Sequence, residues 1–398
     1  MKVLGLISGT SHDGIDAAVV DFTLDGDVLS GSITRTGSTP YAAGLRRRLV
    51  AALPPADTTL AEVCELDTLI GQAFADVAVA VTADVGALDL VVSHGQTVFH
   101  WVQGDHALGT LQLGQPAWIA EATGLPVLAD VRIRDITAGG HGAPLVSYLD
   151  VLLLKGMDGT AAALNLGGIA NMTVVRPDGA VLAYDIGPAN ALVDAVVVGE
   201  GLSDLGYDEG GQLAATGTVH AGLLAHLLSD PYFALPAPKS TGKEHFHGDY
   251  VADAVSHAGV DVGTADLVAT LTAFTSESVA RDVRARGVET LVVSGGGWRN
   301  ATLMAGLREA LPGVRVTSTD ELGAPSDTKE AVAFALIGWC TMHGLPGANP
   351  MGTGAREPRI LGALTPGSGP LALPTPLERA PARLVLRTVD TVDTVDTA

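Results

Sequence analysis

Cysteine is nearly missing from this chain: Cys64 and Cys340 stand far apart in 398 residues. Two distant cysteines in apolar helical patterns exclude a disulfide framework and read as buried free thiols. Cations are scarce as well, since 23 Lys and Arg against 44 Asp and Glu leave a formal charge of −21. Nucleic acid and anionic membrane both need clustered Lys and Arg, so neither is expected as a partner. The deficit leaves room for a phosphorylated ligand, which backbone N–H groups and a metal ion can hold. No apolar run reaches ~18 residues, so no membrane span is expected. The opening Met1–Leu6 is too short for a signal-peptide core and runs straight into a turn, which makes the cytoplasm the default location. Charged residues are 17% of the chain and apolar ones 47%, a composition with ample core and no tendency to disorder.

At this length two domains of roughly 150–200 residues are expected. The first fifty residues read as strands at Val3–Ile7, Ala17–Phe22 and Gly31–Thr36, separated by Ser8–Gly14 and Leu24–Asp27 turns. Helical periodicity follows at Gly44–Ala52 and Leu60–Ala83, then strand Leu88–Val92, helix Trp118–Ala122, strand Pro126–Ala129 and helix Leu145–Leu154. The opening pattern then restarts with strands Ala161–Leu166, Met172–Val175 and Val181–Tyr184, each set carrying a glycine turn after its first strand. Further on come strand Thr290–Ser294, helix Asn300–Leu311, strand Val314–Ser318 and a helix at Thr328–Met342. Two α/β lobes, each a mixed sheet with helices on its faces, fit this order. The division is set at 1–155, 156–370 and a tail, 371–398, expected to be disordered because it is Pro-rich and ends in Thr-Val-Asp repeats.

The first turn, Gly9-Thr10-Ser11-His12-Asp13-Gly14 followed by Ile15 and Asp16, offers small residues, successive N–H groups and two hydroxyls. Those parts suit a polyphosphate, and Asp13 could hold Mg²⁺ through water; the same residues also suit an ordinary hairpin. Asn165, Gly167 and Gly168 occupy the corresponding turn of the second half, so two hairpins gripping a triphosphate across a cleft are expected. Gly295-Gly296-Gly297, at a strand end before a helix, suits a backbone approaching adenine or ribose. Asp185, at the end of an apolar strand beside Gly187, Pro188 and Asn190, is either a proton-transfer carboxylate or a helix N-cap. Arg132 and Arg134 either clamp a carboxylate or pair with Asp130 and Asp135. His94 follows a buried strand, where substrate contact and a structural role are both open; the histidines form no metal set. Lys239, in Pro238–Gly242, reads as loop or interdomain contact.

Assembled in order, these segments resemble the anhydro-N-acetylmuramic acid kinase family of the actin/hexokinase/Hsp70 superfamily. The resemblance runs over about residues 3–367. It is carried by Ser8–Ser11 with Asp13–Asp16, Ser93–Thr97, Gln112–Gly114, Ala129–Arg132 with Asp135, Ala138–Gly140 with Gly142–Leu145, Asn165–Asn171, Asp185–Asn190, Pro238–Gly242, Gly295–Gly297, Glu330–Ala335 and Thr353–Ala355. It departs from the family's usual residues at His12, Ala189, His141, Ser147 and Trp298-Arg299. The resemblance implies a two-lobed actin-like (ribonuclease H-like) fold and an ATP- and Mg²⁺-dependent sugar kinase, with a homodimer as its assembly. It implies that water opens a 1,6-anhydro bridge while the γ-phosphate passes to the released O6, as a step in peptidoglycan recycling. Asp185 is then the base, the three glycine segments hold nucleotide, and His94, Gln96, Arg132, Arg134, Asp185, Asn190 and Glu330 face the sugar. Levoglucosan is the alternative sugar; a non-catalytic nucleotide-dependent regulator is the alternative of another class.

Overall fold

The computed structural model describes residues 1–104, 106–242 and 245–389. Thirteen strands are formed among them: β1 (Lys2–Ser8), β2 (Gly14–Asp25), β3 (Val28–Pro40), β4 (Leu90–Gln103), β5 (His106–Leu113), β6 (Val127–Ala129), β7 (Ala161–Leu166), β8 (Ile169–Val175), β9 (Val181–Pro188), β10 (Thr290–Ser294), β11 (Arg315–Ser318), β12 (Ala363–Thr365) and β13 (Arg383–Thr388). They build an eight-stranded sheet, in the order β12-β6-β4-β1-β2-β3-β13 with β5 on β4, and a five-stranded sheet in the order β11-β10-β7-β8-β9.

The two sheets repeat one plan. In the first, β1 pairs antiparallel with β2 and parallel with β4, β2 pairs antiparallel with β3, and β4 pairs parallel with β6. In the second, β7 pairs antiparallel with β8 and parallel with β10, β8 antiparallel with β9, and β10 parallel with β11. This is the mixed α/β arrangement, doubled, that an actin-like fold requires. Each sheet thereby places its first hairpin turn, β1–β2 or β7–β8, at the C-terminal end of its central strand.

Period-two alternation builds the first sheet's two cores. Val3 and Ile7 face a cluster with Val332, Phe334 and Trp339; Leu4 and Leu6 face one with Leu66, Ile70 and Phe74. Helix Lys329–Met342 is buried almost all round. Its close approach depends on glycine: a Cβ on Gly5 would run into the Ala331 carbonyl, and one on Gly338 into Val92. Helix Leu60–Val85 is long and apolar enough to cross a membrane by length and composition, although no apolar run of that length was expected; its buried side lies in the first unit's core. In the second sheet Ala162, Leu164 and Leu166 pack with Val279, Val283, Leu303 and Leu307 from helices Thr264–Ala285 and Ala301–Ala310.

The chain divides into one unit of Met1–Leu153 with everything from Leu322 onward, and another of Leu154–Glu321. The stretch from Leu322 to residue 370, placed by its order in the second lobe (156–370), therefore belongs to the first unit. The reason is that helix Lys329–Met342 crosses back onto β1 and β4, a non-local contact that element order cannot display. The tail expectation for 371–398 is also corrected. Within it, β13 pairs parallel with β3, Arg383 opposite Val28 through Thr388 opposite Ile33, and buries Leu384 and Leu386. The Thr-Val-Asp repeats beyond Val389 lie outside the described residues. Cys340 is a buried free thiol as expected, whereas Cys64 is exposed, because it sits off the buried stripe that begins at Leu66.

Candidate active site

In the first unit the β1–β2 turn is held from beneath by a side chain of β4. Gln96 is fully buried. Its Oε1 accepts from Ser8 Oγ at 2.6 Å, and its Nε2 donates to the carbonyls of Gly9 and Thr97, each at 3.1 Å. Above this brace the His12 N–H donates to the Gly9 carbonyl (3.3 Å) and Ser11 Oγ donates to Asp13 Oδ1 (2.6 Å). His12 has φ 53°, in the left-handed region, where histidine is several-fold enriched among non-glycine residues. Burial, with the charge of Arg46, lowers its imidazole pKa below 6.5, against the opposing influence of the Thr97 backbone.

The segment therefore splits into two parts. Gly9, Thr10, Ser11 and Asp13 line the turn, and Thr10, Ser11 and Asp13 are exposed. Gly14 and Ile15 belong to the strand. A Cβ on Gly14 would come within 2.5 Å of the Thr39 carbonyl, and the Ile15 side chain is core. Ile15, expected to bind nucleotide, can offer backbone only. Asp16 is half-buried. Burial raises its carboxyl above the ordinary value, the Ser38 hydrogen bond opposes this, and the charges of Asp13 and Asp327 add to the rise. Among the described residues no three side chains form a ready metal cage. Asp13 and Asp16 do fit a hydrated Mg²⁺ carried on phosphate, because their mutual repulsion is what a divalent ion relieves.

Arg132 forms a second constellation in the same unit. Its Nε–H donates to His94 Nε2 at 2.7 Å and its Nη1–H to the Gly142 carbonyl at 2.6 Å. His94 is buried, with Nδ1 2.9 Å from the Gly95 carbonyl and its ring 4.7 Å from Phe334. Burial first and Arg132 second hold its pKa well below 6.5. A neutral ring then donates through Nδ1–H and accepts at Nε2. Glu330 is exposed at its surface, yet crowding by neighbouring protein raises its carboxyl above the ordinary value, with Arg132 and Lys329 opposing and Asp16 adding to the rise. The arginine is thus wired to His94 and Gly142 and lies within the field of Glu330. The alternative ion pairing fails in contact form. Asp135 accepts from the Gly142 N–H (2.8 Å) and Thr353 Oγ1 (2.7 Å), and Asp130 sits strained at φ 52°. Arg134 is exposed and apart from this wiring. A cavity of about 540 Å³ lies alongside, lined in part by Cys64, Asp67, His94, Gln112 and Asp130.

Gln96 and His94, expected to touch sugar, each hold a neighbour in place. Gln96 braces the β1–β2 turn from beneath, and His94 fixes Arg132 while also lining the cavity beside it. The family resemblance placed both at the sugar; their hydrogen-bond partners are set by the fold.

In the second unit the β7–β8 turn at Gly167–Gly168 is held by the segment after β9. The N–H groups of Ala189 and Ala191 donate to the Gly168 carbonyl, at 2.9 and 3.1 Å. Asn190 donates its N–H to the Gly167 carbonyl at 3.0 Å and its Nδ2 to the carbonyls of Leu166 and Gly167, at 3.1 and 2.8 Å. Asn190, expected at the sugar, is spent on this turn. The third glycine segment packs on the same strand end. A Cβ on Gly295, at φ 84°, would come within 2.6 Å of Asn165 Oδ1, and one on Gly297 within 2.6 Å of Leu166 Cβ. Gly296 is exposed, with open space where a Cβ would stand, so it is the glycine of the three placed for a flat ligand.

Asp185 lies in β9 and is half-buried. Asn190, not Asp185, stands at the N-cap of helix Ala191–Gly199, which removes the capping reading. The Asp185 Oδ2 accepts from Ser240 Oγ at 2.8 Å and from the Thr241 N–H at 3.1 Å. Its backbone N–H donates to the Lys239 carbonyl at 2.9 Å, and its carbonyl accepts from Tyr232 Oη at 2.7 Å. Lys239 lies over the Tyr232 ring at 4.4 Å and donates to the Tyr232 carbonyl at 3.1 Å. The Pro238–Gly242 segment, read as loop or interdomain contact, is in this unit the cradle of Asp185. Sequence reasoning missed it, although its Lys-Ser-Thr-Gly composition already signalled an anion-binding turn; the anion is a carboxylate of the chain.

A family model described as anhydro-N-acetylmuramic acid kinase matches residues 1–367. The anhydro-N-acetylmuramic acid kinase of Streptomyces coelicolor is 54% identical over 391 residues, covering 98% of this chain and 99% of the relative. That of Streptomyces avermitilis is 54% identical over 388 residues, covering 97% and 100%. That of Rhodococcus erythropolis is 52% identical over 390 residues, covering 96% and 98%.

Proposed function

The chain belongs to the anhydro-N-acetylmuramic acid kinase family, and on that premise we propose that it converts anhydro-N-acetylmuramic acid, ATP and water to N-acetylmuramic acid 6-phosphate and ADP. The observation that carries this to the residue level is Asp185, a half-buried carboxylate within β9 pinned through Oδ2 and through its backbone. In this reading Asp185 takes a proton from water as its oxygen bonds to C1. The C1–O6 bond breaks, and O6 accepts the γ-phosphoryl group as ADP leaves. A fixed carboxylate suits general-base work because orientation is secured before reaction.

Phosphoryl transfer asks mainly for alignment and charge neutralisation. In the first unit the turn at Gly9–Asp13 offers N–H groups and hydroxyls suited to phosphate; in the second, the braced Gly167–Gly168 turn is a glycine turn of the same kind. Mg²⁺, when bound on the phosphates beside Asp13 and Asp16, would offset their charge. Arg132 is the cation suited to the lactyl carboxylate that distinguishes this sugar from levoglucosan, because two of its N–H groups are already committed and its fork is fixed. Glu330 is the acceptor beside it for a sugar hydroxyl. Cytoplasmic location, a homodimer and service in peptidoglycan recycling complete the proposal.

The test is ADP release on anhydro-N-acetylmuramic acid and on levoglucosan, for the parent protein and for Asp185→Asn. Turnover of the muramic sugar should exceed that of levoglucosan. Asp185→Asn should lose about 10²-fold or more of kcat while ATP binding is retained. Equal or better turnover of levoglucosan overturns the sugar assignment, and an unchanged rate in Asp185→Asn removes it from the mechanism.

A further inference from the structure

Four hydrogen bonds tie Asp185 to one short stretch of chain. Ser240 Oγ and the Thr241 N–H reach Oδ2 (2.8 and 3.1 Å), the Lys239 carbonyl takes the Asp185 N–H (2.9 Å), and Tyr232 Oη reaches its carbonyl (2.7 Å). The stretch is itself anchored: Asp230 caps Tyr232 at 2.8 Å, and Lys239 closes over the Tyr232 ring while donating to its carbonyl. Tyr232 is buried among Phe233 and Phe246, so this anchor is rooted in the second unit's core. Ser240, by contrast, is exposed, and nothing in the core requires its hydroxyl. A buried aromatic root carrying an exposed hydroxyl aimed at a carboxylate is a device for orientation.

We propose that Ser240 is a positioning residue for the reaction. Its Oγ–H, with the Thr241 N–H, fixes Oδ2 of Asp185 and so sets the plane in which that carboxylate meets the attacking water. The proposal rests on the reading of Asp185 as base and adds the group that aims it. Backbone ties alone leave the carboxylate free to turn about its side-chain torsions, which are broad for aspartate. Two donors on one oxygen remove that freedom before the substrate arrives. Ser240 touches neither sugar nor nucleotide in this scheme, so its loss should reduce the rate of the bound complex and leave binding alone.

Steady-state kinetics of Ser240→Ala and Ser240→Thr test this on the full-length protein with anhydro-N-acetylmuramic acid and ATP. Removing one hydrogen bond to a charged group should lower kcat roughly 10-fold in Ser240→Ala, with both KM values within about 2-fold of the parent. Ser240→Thr keeps the hydroxyl and should recover most of the rate. A Ser240→Ala kcat within about 2-fold of the parent overturns the proposal, as does a loss that Ser240→Thr does not recover or one confined to KM. Asp185→Asn run in parallel separates the two levels. If it is inactive while Ser240→Ala is unaffected, only the aiming role falls; if Asp185→Asn turns over normally, the base assignment falls first.

Discussion

The β1–β2 and β7–β8 turns occupy the same place in two sheets of the same plan, yet they are built by different means. The first is a loop at Gly9–Asp13 with one left-handed histidine, braced by a buried side chain, Gln96, that lies 88 residues from its partner Ser8. The second turns on glycines and is braced by Asn190, 24 residues from Leu166, with backbone N–H groups on either side. Shared topology fixes where the first hairpin turn of each sheet can stand. What holds the turn still is left to whichever element happens to pass beneath it, and the two units recruited different ones.

That contrast predicts unequal fragility. Gln96→Leu should cost most, because it takes the acceptor from buried Ser8 Oγ, at about 1–3 kcal/mol, and leaves the Gly9 carbonyl only the long His12 N–H bond. Thermal denaturation should show a clearly lowered midpoint and ATP titration a raised KM; an unmoved midpoint would mean the brace is dispensable. Asn190→Ala should cost less, about 1 kcal/mol, since the N–H groups of Ala189, Asn190 and Ala191 still hold the Gly167 and Gly168 carbonyls. Its signature should be a raised KM for ATP with a modest midpoint change. A loss of stability matching that of Gln96→Leu would erase the distinction between the two braces. His12→Asn is the mildest: asparagine also tolerates the left-handed region, so the midpoint should barely move and ATP KM should stay within about 2-fold. A large effect there would show that the ring, not the turn's backbone, meets the nucleotide.

Much of this was legible in the residues. Strands β7 and β10 fall where their apolar runs end at glycine, and the restart of the three-strand pattern near Ala161 foretold the doubled sheet. Glycine 295, at positive φ against Asn165, shows why that motif is glycine for packing as much as for ligand. The errors share a cause. β4 runs on to Gln103, well past the apolar run at Leu88–Val92, because its far half, with Phe99, Trp101 and Val102 exposed, is held by pairing with β5. The strand Arg383–Thr388 hid in a Pro-rich tail because its partner is β3, more than 350 positions earlier.

Sequence alone determined the two-fold repetition, the glycine turns and the acid at 185, since local apolar period and turn chemistry write these into neighbouring residues. Tertiary structure alone decided which polar groups face one another. For His94 and Gln96 only the fold shows the partners: Arg132 and Gly95 for the one, Ser8, Gly9 and Thr97 for the other. Ser240 read as loop until it met Asp185, 55 residues away. A hydrogen bond needs its partners within about 3 Å, and that proximity is a property of the folded chain, which no spacing along the sequence can state.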